Sequence, residues 1–309
     1  MARLIRIGTR SSPMAVHQAE QVAAALGALD SDATCELVKI TTSGDLWMGD
    51  LSRLGGKGAF VRQIDRAMLD DEIDLAVHCL KDIPGDVPPP PGIVFAAYLA
   101  REDSHDAVIS RIHKPLAELP AGSVIGTSSV RRAAQLGLRF PHLTVKPLRG
   151  NVHTRMKRLD EGSYDAVILA MSGLCRVGFT DRVTEVLPLE VMCPPIGAGI
   201  IALQCRADDD DIRALAAQIA DPEATRYAIA ERTMLHTLQG HCHSPIAGYA
   251  STEIHGALSL RAMVFSLDGS KWLDAHEWGS PDEPAVLGVS VGAALLRKGA
   301  RELIDSIAH

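Results

Sequence analysis

Residues 3–9, RLIRIGT, place Leu4, Ile5 and Ile7 among polar neighbours in the alternating rhythm of a strand. Ser11 and Ser12 then offer caps for a helix reaching about Leu29, with Pro13 at a first-turn position that tolerates it. CELVKIT at 35–41 returns to strand, FVRQIDRAMLDD at 60–71 has helical spacing, and DLAVH at 74–78 is a short buried strand. PPPPG at 88–92 forces an extended polyproline segment. Strand, helix and strand in this order predict a βαβ-like unit with a parallel sheet. Between them, GDLWMGDLSRLGGKGA is Gly-rich and only weakly periodic, so segment 43–58 is expected to be a mobile loop that can cover a cleft.

The rhythm restarts after residue 100. DAVIS, SVIGT, LTVKPL and DAVILA are short apolar strands, separated by helices expected near 129–139 and 151–161. A third portion begins near Asp221. There DPEATRYAIAERTMLHTL carries Tyr227, Ala230, Met234 and Leu238 on one helical stripe, and Gly240 supplies the stop. Strands near 246–254, 257–266 and 271–278 follow, then a last helix from about 285 to 307. Helix, meander and helix without βαβ alternation describe a separate small α+β domain.

The 309 residues are enough for two or three domains, and 47% hydrophobic content can give each a core. A net charge of −7 argues against a general nucleic-acid binder, although an acidic protein can still concentrate cations in one cleft. The six cysteines are scattered with no CxxC pair, which suits reduced thiols in the cytoplasm. MARLIRIGTRSS has no apolar core of a signal peptide, and no apolar run approaches the length of a membrane span.

Cations cluster where strands end. In GTSSVRR, 126–132, Thr127, Ser128 and Ser129 offer hydroxyls and free N–H groups at a helix start, and Arg131 and Arg132 add charge. Alone, this reads equally as an ordinary cap with solvated arginines. LRGNVHTR, 148–155, repeats the construction with Arg149, Gly150, a capping Asn151 and Arg155. Arg10 follows the first strand and Arg176 follows DAVILA, so all these cations fall at the carboxyl edges where open α/β sheets bind ligands. A ligand with several carboxylates or phosphates fits guanidinium forks, and no GxxxxGK[ST] loop is present for a nucleoside triphosphate. VHCLKDIP sets Lys81 and Asp82 just past a buried strand, either as solvated loop charges or as a cleft carboxylate that stabilises a developing cation.

GHCHSP, 240–245, allows three readings. His241 and His243 could ligate zinc with Cys242, but no second Cys/His pair stands nearby at zinc spacing. A thiol activated by a neighbouring imidazole lacks an evident orienting Asn or Asp. A buried loop cysteine between two surface histidines is the plainest local reading.

Taken together, RIGTRSSP, GDL, GGKGAFV, VHCLKDIP, REDSHDA, GTSSVRRAAQL, LRGNVHTR, YDAVILAMSGLCR, PPIGAG, GHCHSPIAGYA and KGARELI resemble, in order and across the whole chain, the hydroxymethylbilane synthase (porphobilinogen deaminase) family. The resemblance implies three domains, two of them α/β domains like the halves of a periplasmic binding protein, plus a small C-terminal α+β domain. Their expected bounds are 1–98 with 194–218, 99–193, and 219–309. It implies a transferase that condenses four porphobilinogen molecules into a linear tetrapyrrole, with a dipyrromethane cofactor joined to Cys242 by a thioether. Asp82 matches the catalytic aspartate. Lys81, Asp82, Thr127, Ser128, Ser129, Arg131, Arg132, Arg149 and Gly150 match cofactor-binding positions. Arg10, Ser12, Arg149, Arg155 and Arg176 match substrate-binding ones. No metal, nucleic acid or membrane is expected, and the family pattern implies a cytoplasmic monomer. Cys79 and His241 stand where serine-like and glycine residues are commoner, and Ala198 where a glutamine is frequent. The alternatives are a polycarboxylate-binding protein without catalysis and a zinc-binding paralogue of the same fold.

Overall fold

The computed structural model describes residues 3–29, 33–47, 58–240 and 244–307. Strand β1 (Arg3–Arg10) leads to helix α1 (Pro13–Leu29), whose first turn is capped by Ser12: its Oγ accepts from the Ala15 N–H at 3.3 Å. Strand β2 (Ala33–Ile40) and, after helix α3 (Arg62–Leu69), strand β3 (Leu75–Cys79) both run parallel to β1. Between β2 and α3 lies the short helix α2 (Ser43–Leu46). Ala19, Val22 and Leu26 of α1, spaced three and four apart, bury against Ile5 and Ile7 of β1. Each such side chain contributes about 1.5–3 kcal/mol by leaving water.

The first sheet also takes in β4 (Ile93–Tyr98) and β10 (Ile201–Arg206), in the order β2-β1-β3-β10-β4. β10 runs antiparallel to both its neighbours, so the sheet is mixed and not parallel as the βαβ pattern suggested. The cause is topological. The chain leaves this sheet after β4, builds a second one, and re-enters from the opposite end.

That second sheet comprises β5 (Asp106–Ser110), β6 (Val124–Gly126), β7 (Thr144–Lys146), β8 (Ala166–Ala170) and β9 (Glu185–Leu187). Its order is β7-β6-β8-β5-β9, with β5 antiparallel to β8 and β9. Each sheet thus has a parallel trio and one antiparallel strand inserted next to its edge, a structural repetition with no repeat in the sequence. Helices α4 (Val130–Arg139), α5 (Val152–Asp160) and α6 (Met171–Arg176) follow β6, β7 and β8 in turn.

After helix α7 (Asp210–Ala217), helix α8 (Pro222–Leu238) buries Tyr227, Ala230, Met234 and Leu238, the expected stripe. The left-handed residue that ends it is Gln239, with φ 50°, one position before the expected Gly240. Strands β11 (Ile246–Thr252), β12 (Leu258–Phe265) and β13 (Trp272–Gly279) form an antiparallel sheet. The expected last helix is two: α9 (Pro284–Arg297) and α10 (Ala300–Asp305), broken at Gly299, where φ is 99°. Leu287, Val291 and Leu295 of α9 close the core over Leu258, Leu260 and Ala262.

One buried carboxylate joins the parts. Glu231 of α8 accepts from Arg101 Nη2 at 2.5 Å, from the Gly197 N–H at 2.7 Å and from the Ala250 N–H at 2.7 Å. Arg101 and Gly197 lie on the two segments that pass between the first and second sheets, so this contact fixes how the sheets meet.

Candidate active site

The carboxyl ends of the parallel strands from both sheets face one cavity of about 550 Å³, within the range of small-molecule sites. On the first wall, Arg10 ends β1, Ser12 caps α1, and Lys81 and Asp82 sit in the 3₁₀ turn Leu80–Asp82 that follows β3. Arg10 is thoroughly engaged. Its Nε lies 3.2 and 3.3 Å from the two Asp45 oxygens, its Nη2 2.5 Å from Asp45 Oδ1, and its Nη1 3.3 Å from Asp82 Oδ2. Its guanidinium also stacks 4.1 Å from the centre of the Phe60 ring. Burial alone would lower the pKa of Arg10, but the Asp45 hydrogen bonds and the charge of Asp82 hold it above its ordinary value. Beneath this wall His78 is buried beside Arg10, and both effects push its pKa down to about 4, so it stays neutral.

The second wall is built differently. Ser129 caps α4, its Oγ accepting from the Arg132 N–H at 3.4 Å, and the Thr127 hydroxyl accepts from the Ser129 N–H at 3.2 Å. Arg132 reaches the cavity with Nε and Nη2 on Asp106 at 2.9 and 2.6 Å. Arg131 takes the other course. Its Nη2 donates to Asp106 at 2.6 Å and its Nη1 to the Cys193 carbonyl, so its guanidinium is buried away from the cavity. Thr127, Ser128, Ser129 and Arg131 are not among the residues that border the cavity in the ligand-free protein. Asp106 and the Cys193 carbonyl draw the Arg131 guanidinium inward, and the Ser129 hydroxyl accepts from the backbone as the cap. Burial would raise the Asp106 carboxyl, but Arg132 and Arg131 hold it well below the usual carboxylate range.

The next junction does present its cations. Gly150 adopts φ 107°, where a side chain would be strained, and a Cβ there would come within 2.8 Å of Thr154. The turn brings Arg149 and Arg155 to the cavity, with Arg155 Nε donating to the Gly150 carbonyl at 2.8 Å. Arg149 Nη1 is buried with no hydrogen-bond partner among the described residues. Burial, then the charges of Arg132 and Arg149, lower the pKa of Arg155 to about 10. Arg176, at the end of α6, also borders the cavity and is paired with Glu102, its Nε 3.3 Å from Oε1.

Among the described residues the cavity is bordered by six cationic side chains and two carboxylates, Asp45 and Asp82. Buried guanidinium without a counter-ion is costly. A ligand bearing several carboxylates would satisfy Arg149 and Arg155, and a dipyrromethane with an acetate and a propionate on each ring fits that donor set. His241, Cys242 and His243 lie outside the described residues, as do residues 48–57 of the expected lid. Among the described residues no group of three or more His, Cys, Asp or Glu side chains could hold a metal ion. Nor is any described helix long and apolar enough to cross a membrane.

Sequence reasoning assigned no role to Asp45, Phe60, Glu102 or Asp106. Each lies in one of the family-like segments (GDL, GGKGAFV and REDSHDA), but its partner is 26 to 74 positions away or across a ring face. Only the fold reveals those pairings.

Fold and site together define a two-lobed α/β protein with a cation-lined cavity between its lobes and a third small domain attached. Residues 5–214 match the family model "Porphobilinogen deaminase, dipyromethane cofactor binding domain", and residues 225–297 match "Porphobilinogen deaminase, C-terminal domain". The chain is 54% identical over 306 residues to porphobilinogen deaminase 2 of Streptomyces coelicolor, covering 99% of this chain and 98% of that one. It is 44% identical over 308 residues to the porphobilinogen deaminase of Acidithiobacillus ferrooxidans, covering 99% of each. Among solved structures, the methionine-binding protein MetQ aligns with a TM-score of 0.43 at 15% identity, over 70% of this chain and 89% of that one. The chain belongs to the porphobilinogen deaminase family of transferases and carries that family's dipyrromethane-cofactor-binding domain.

Proposed function

We propose that the protein is a hydroxymethylbilane synthase, which condenses four porphobilinogen molecules head to tail, releases ammonia, and delivers the linear tetrapyrrole hydroxymethylbilane to haem and corrin biosynthesis. The cofactor is carried on Cys242 through a thioether and, when bound, supplies the pyrrole carbon onto which the chain is built. Arg149, Arg155, Arg132 and Lys81 hold carboxylates of cofactor and substrate. Thr127, Ser128, Ser129, Arg131 and Gly150, at the two junctions that aim those cations, bind the cofactor with them. Arg10, Ser12 and Arg176 complete the substrate side. Asp82 accepts a hydrogen bond from the substrate's pyrrole N–H and stabilises the cation left on porphobilinogen as ammonia departs. The domains are taken as 1–98 with 194–218, 99–193 and 219–309, and the protein as a cytoplasmic monomer whose cleft is built from one chain.

The observation that carries this reading is Asp82 facing a cluster of cations that includes the buried Nη1 of Arg149, unpartnered among the described residues. Incubating the purified protein with porphobilinogen and measuring released ammonia and tetrapyrrole tests it directly. Binding without ammonia release would instead support the non-catalytic alternative.

A further inference from the structure

Among the cations of the cleft, Arg10 has its fork already covered by a carboxylate from its own wall. Asp45 meets Nε and Nη2 together, the side-on contact that a ligand carboxylate would make. Among the described residues Arg149 and Arg155, on the facing wall, have no such acidic partner.

The element that carries Asp45 is lightly held. Helix α2 buries none of its residues. Asp45 is oriented by its own cap, with Thr42 Oγ1 donating to Oδ2 at 2.7 Å. The helix is tied down by the Gly44 N–H and the Ser43 hydroxyl, which donate to the Ala59 carbonyl at 2.9 and 3.2 Å. Arg10, by contrast, also rests on Phe60 and reaches Asp82, and neither contact involves Asp45.

We propose that Asp45 is a resident stand-in for a substrate carboxylate: it neutralises Arg10 in the free enzyme and gives up the same two nitrogens when a porphobilinogen carboxylate arrives. The proposal rests on the reading of the protein as a porphobilinogen deaminase. One carboxylate replaces another, so Arg10 is never left unpaired beside Asp82. Substrate affinity is lowered by the fraction of Arg10 that Asp45 occupies. Asp45 is thus a specificity-setting residue, since a ligand without a carboxylate cannot dislodge it.

Trp47 directly follows α2 and borders the cavity, so its emission reports the position of this helix. Trp272 and Trp278 lie on β13 and can be removed as W272F and W278F to leave a single reporter. In that holoenzyme, porphobilinogen should change the Trp47 emission. Asp45→Asn should give the changed spectrum before ligand is added and lower KM about three- to tenfold without raising kcat. Asp45→Glu, which keeps the charge, should retain the wild-type KM. An Asp45→Asn variant with raised KM, or a Trp47 signal indifferent to porphobilinogen while the wild type turns it over, overturns the exchange and leaves the function standing. Should Asp45→Asn fail to fold, the Trp47 titration of the wild type and the KM of Asp45→Glu decide alone. A wild type that releases no ammonia from porphobilinogen sinks both readings.

Discussion

The wall of the cleft built by the first sheet carries its charges in pairs, with Arg10 set between Asp45 and Asp82. On the wall built by the second sheet, Arg132 is paired with Asp106, but Arg149 and Arg155 crowd together with no acidic partner among the described residues. The two sheets share a strand order, so the fold does not impose this contrast. The first wall carries its own counter-charges, whereas among the described residues Arg149 and Arg155 of the second carry none. Chemistry that creates a cation on a polycarboxylate needs both: a carboxylate aimed at the reacting centre and a surface that holds the rest.

The largest effect should come from the first wall. Asp82→Asn keeps the size of the side chain and removes its charge, and turnover should fall on the order of 10²-fold or more with little change in melting temperature. Near-normal release of ammonia from porphobilinogen would remove Asp82 from the mechanism. On the second wall, Arg149→Leu should leave protein that lacks the cofactor or stalls after the first additions, visible by intact mass. Arg149→Lys should recover only part of the activity, since an ammonium has no planar fork. An Arg149→Leu variant with normal mass and rate would make Arg149 a bystander.

A smaller effect tests the unpaired cations themselves. Arg155→Met in cofactor-free protein should raise the melting temperature by about 2 °C, because a half-buried cation crowded by Arg132 and Arg149 is removed, and should blunt stabilisation by added inorganic phosphate. A lower melting temperature with phosphate stabilisation intact would mean that Arg155 is already satisfied.

The smallest concerns a buried acid of α3, in the first lobe. Burial pushes the Asp65 carboxyl up to about 6. A raised acid binds its proton more tightly in the folded state, so its contribution is favourable at low pH and is lost as pH rises from about 4 to 6. Asp65→Asn should therefore raise the melting temperature near neutral pH and leave it unchanged near pH 4, as calorimetry would register. Equal shifts at both values would assign the effect to packing.

Much of this arrangement was legible in the sequence, for identifiable reasons. The α8 stripe was readable because its period is local, and the cations were readable because each follows a strand. Strand β10 was missed because it inserts between β3 and β4 only after the whole second sheet has been built. The inward turn of Arg131 could not be read either, since Asp106 lies 25 positions away and only the sheet brings it near. The break at Gly299 did have a local signal, two basic residues followed by glycine at a helix end. The role of GHCHSP came from resemblance and not from local chemistry, which favoured a plain loop cysteine.

That segment supplies the most direct test of a cleft made for a tethered polycarboxylate. The intact mass of the purified protein should exceed the sequence mass by two porphobilinogen units less two ammonias. The increment should survive thiol reductants, unlike a disulfide adduct. Cys242→Ala should lose both the increment and tetrapyrrole synthesis, while substitution of His241 or His243 should leave the increment in place. A protein of bare sequence mass that still makes hydroxymethylbilane would contradict the account.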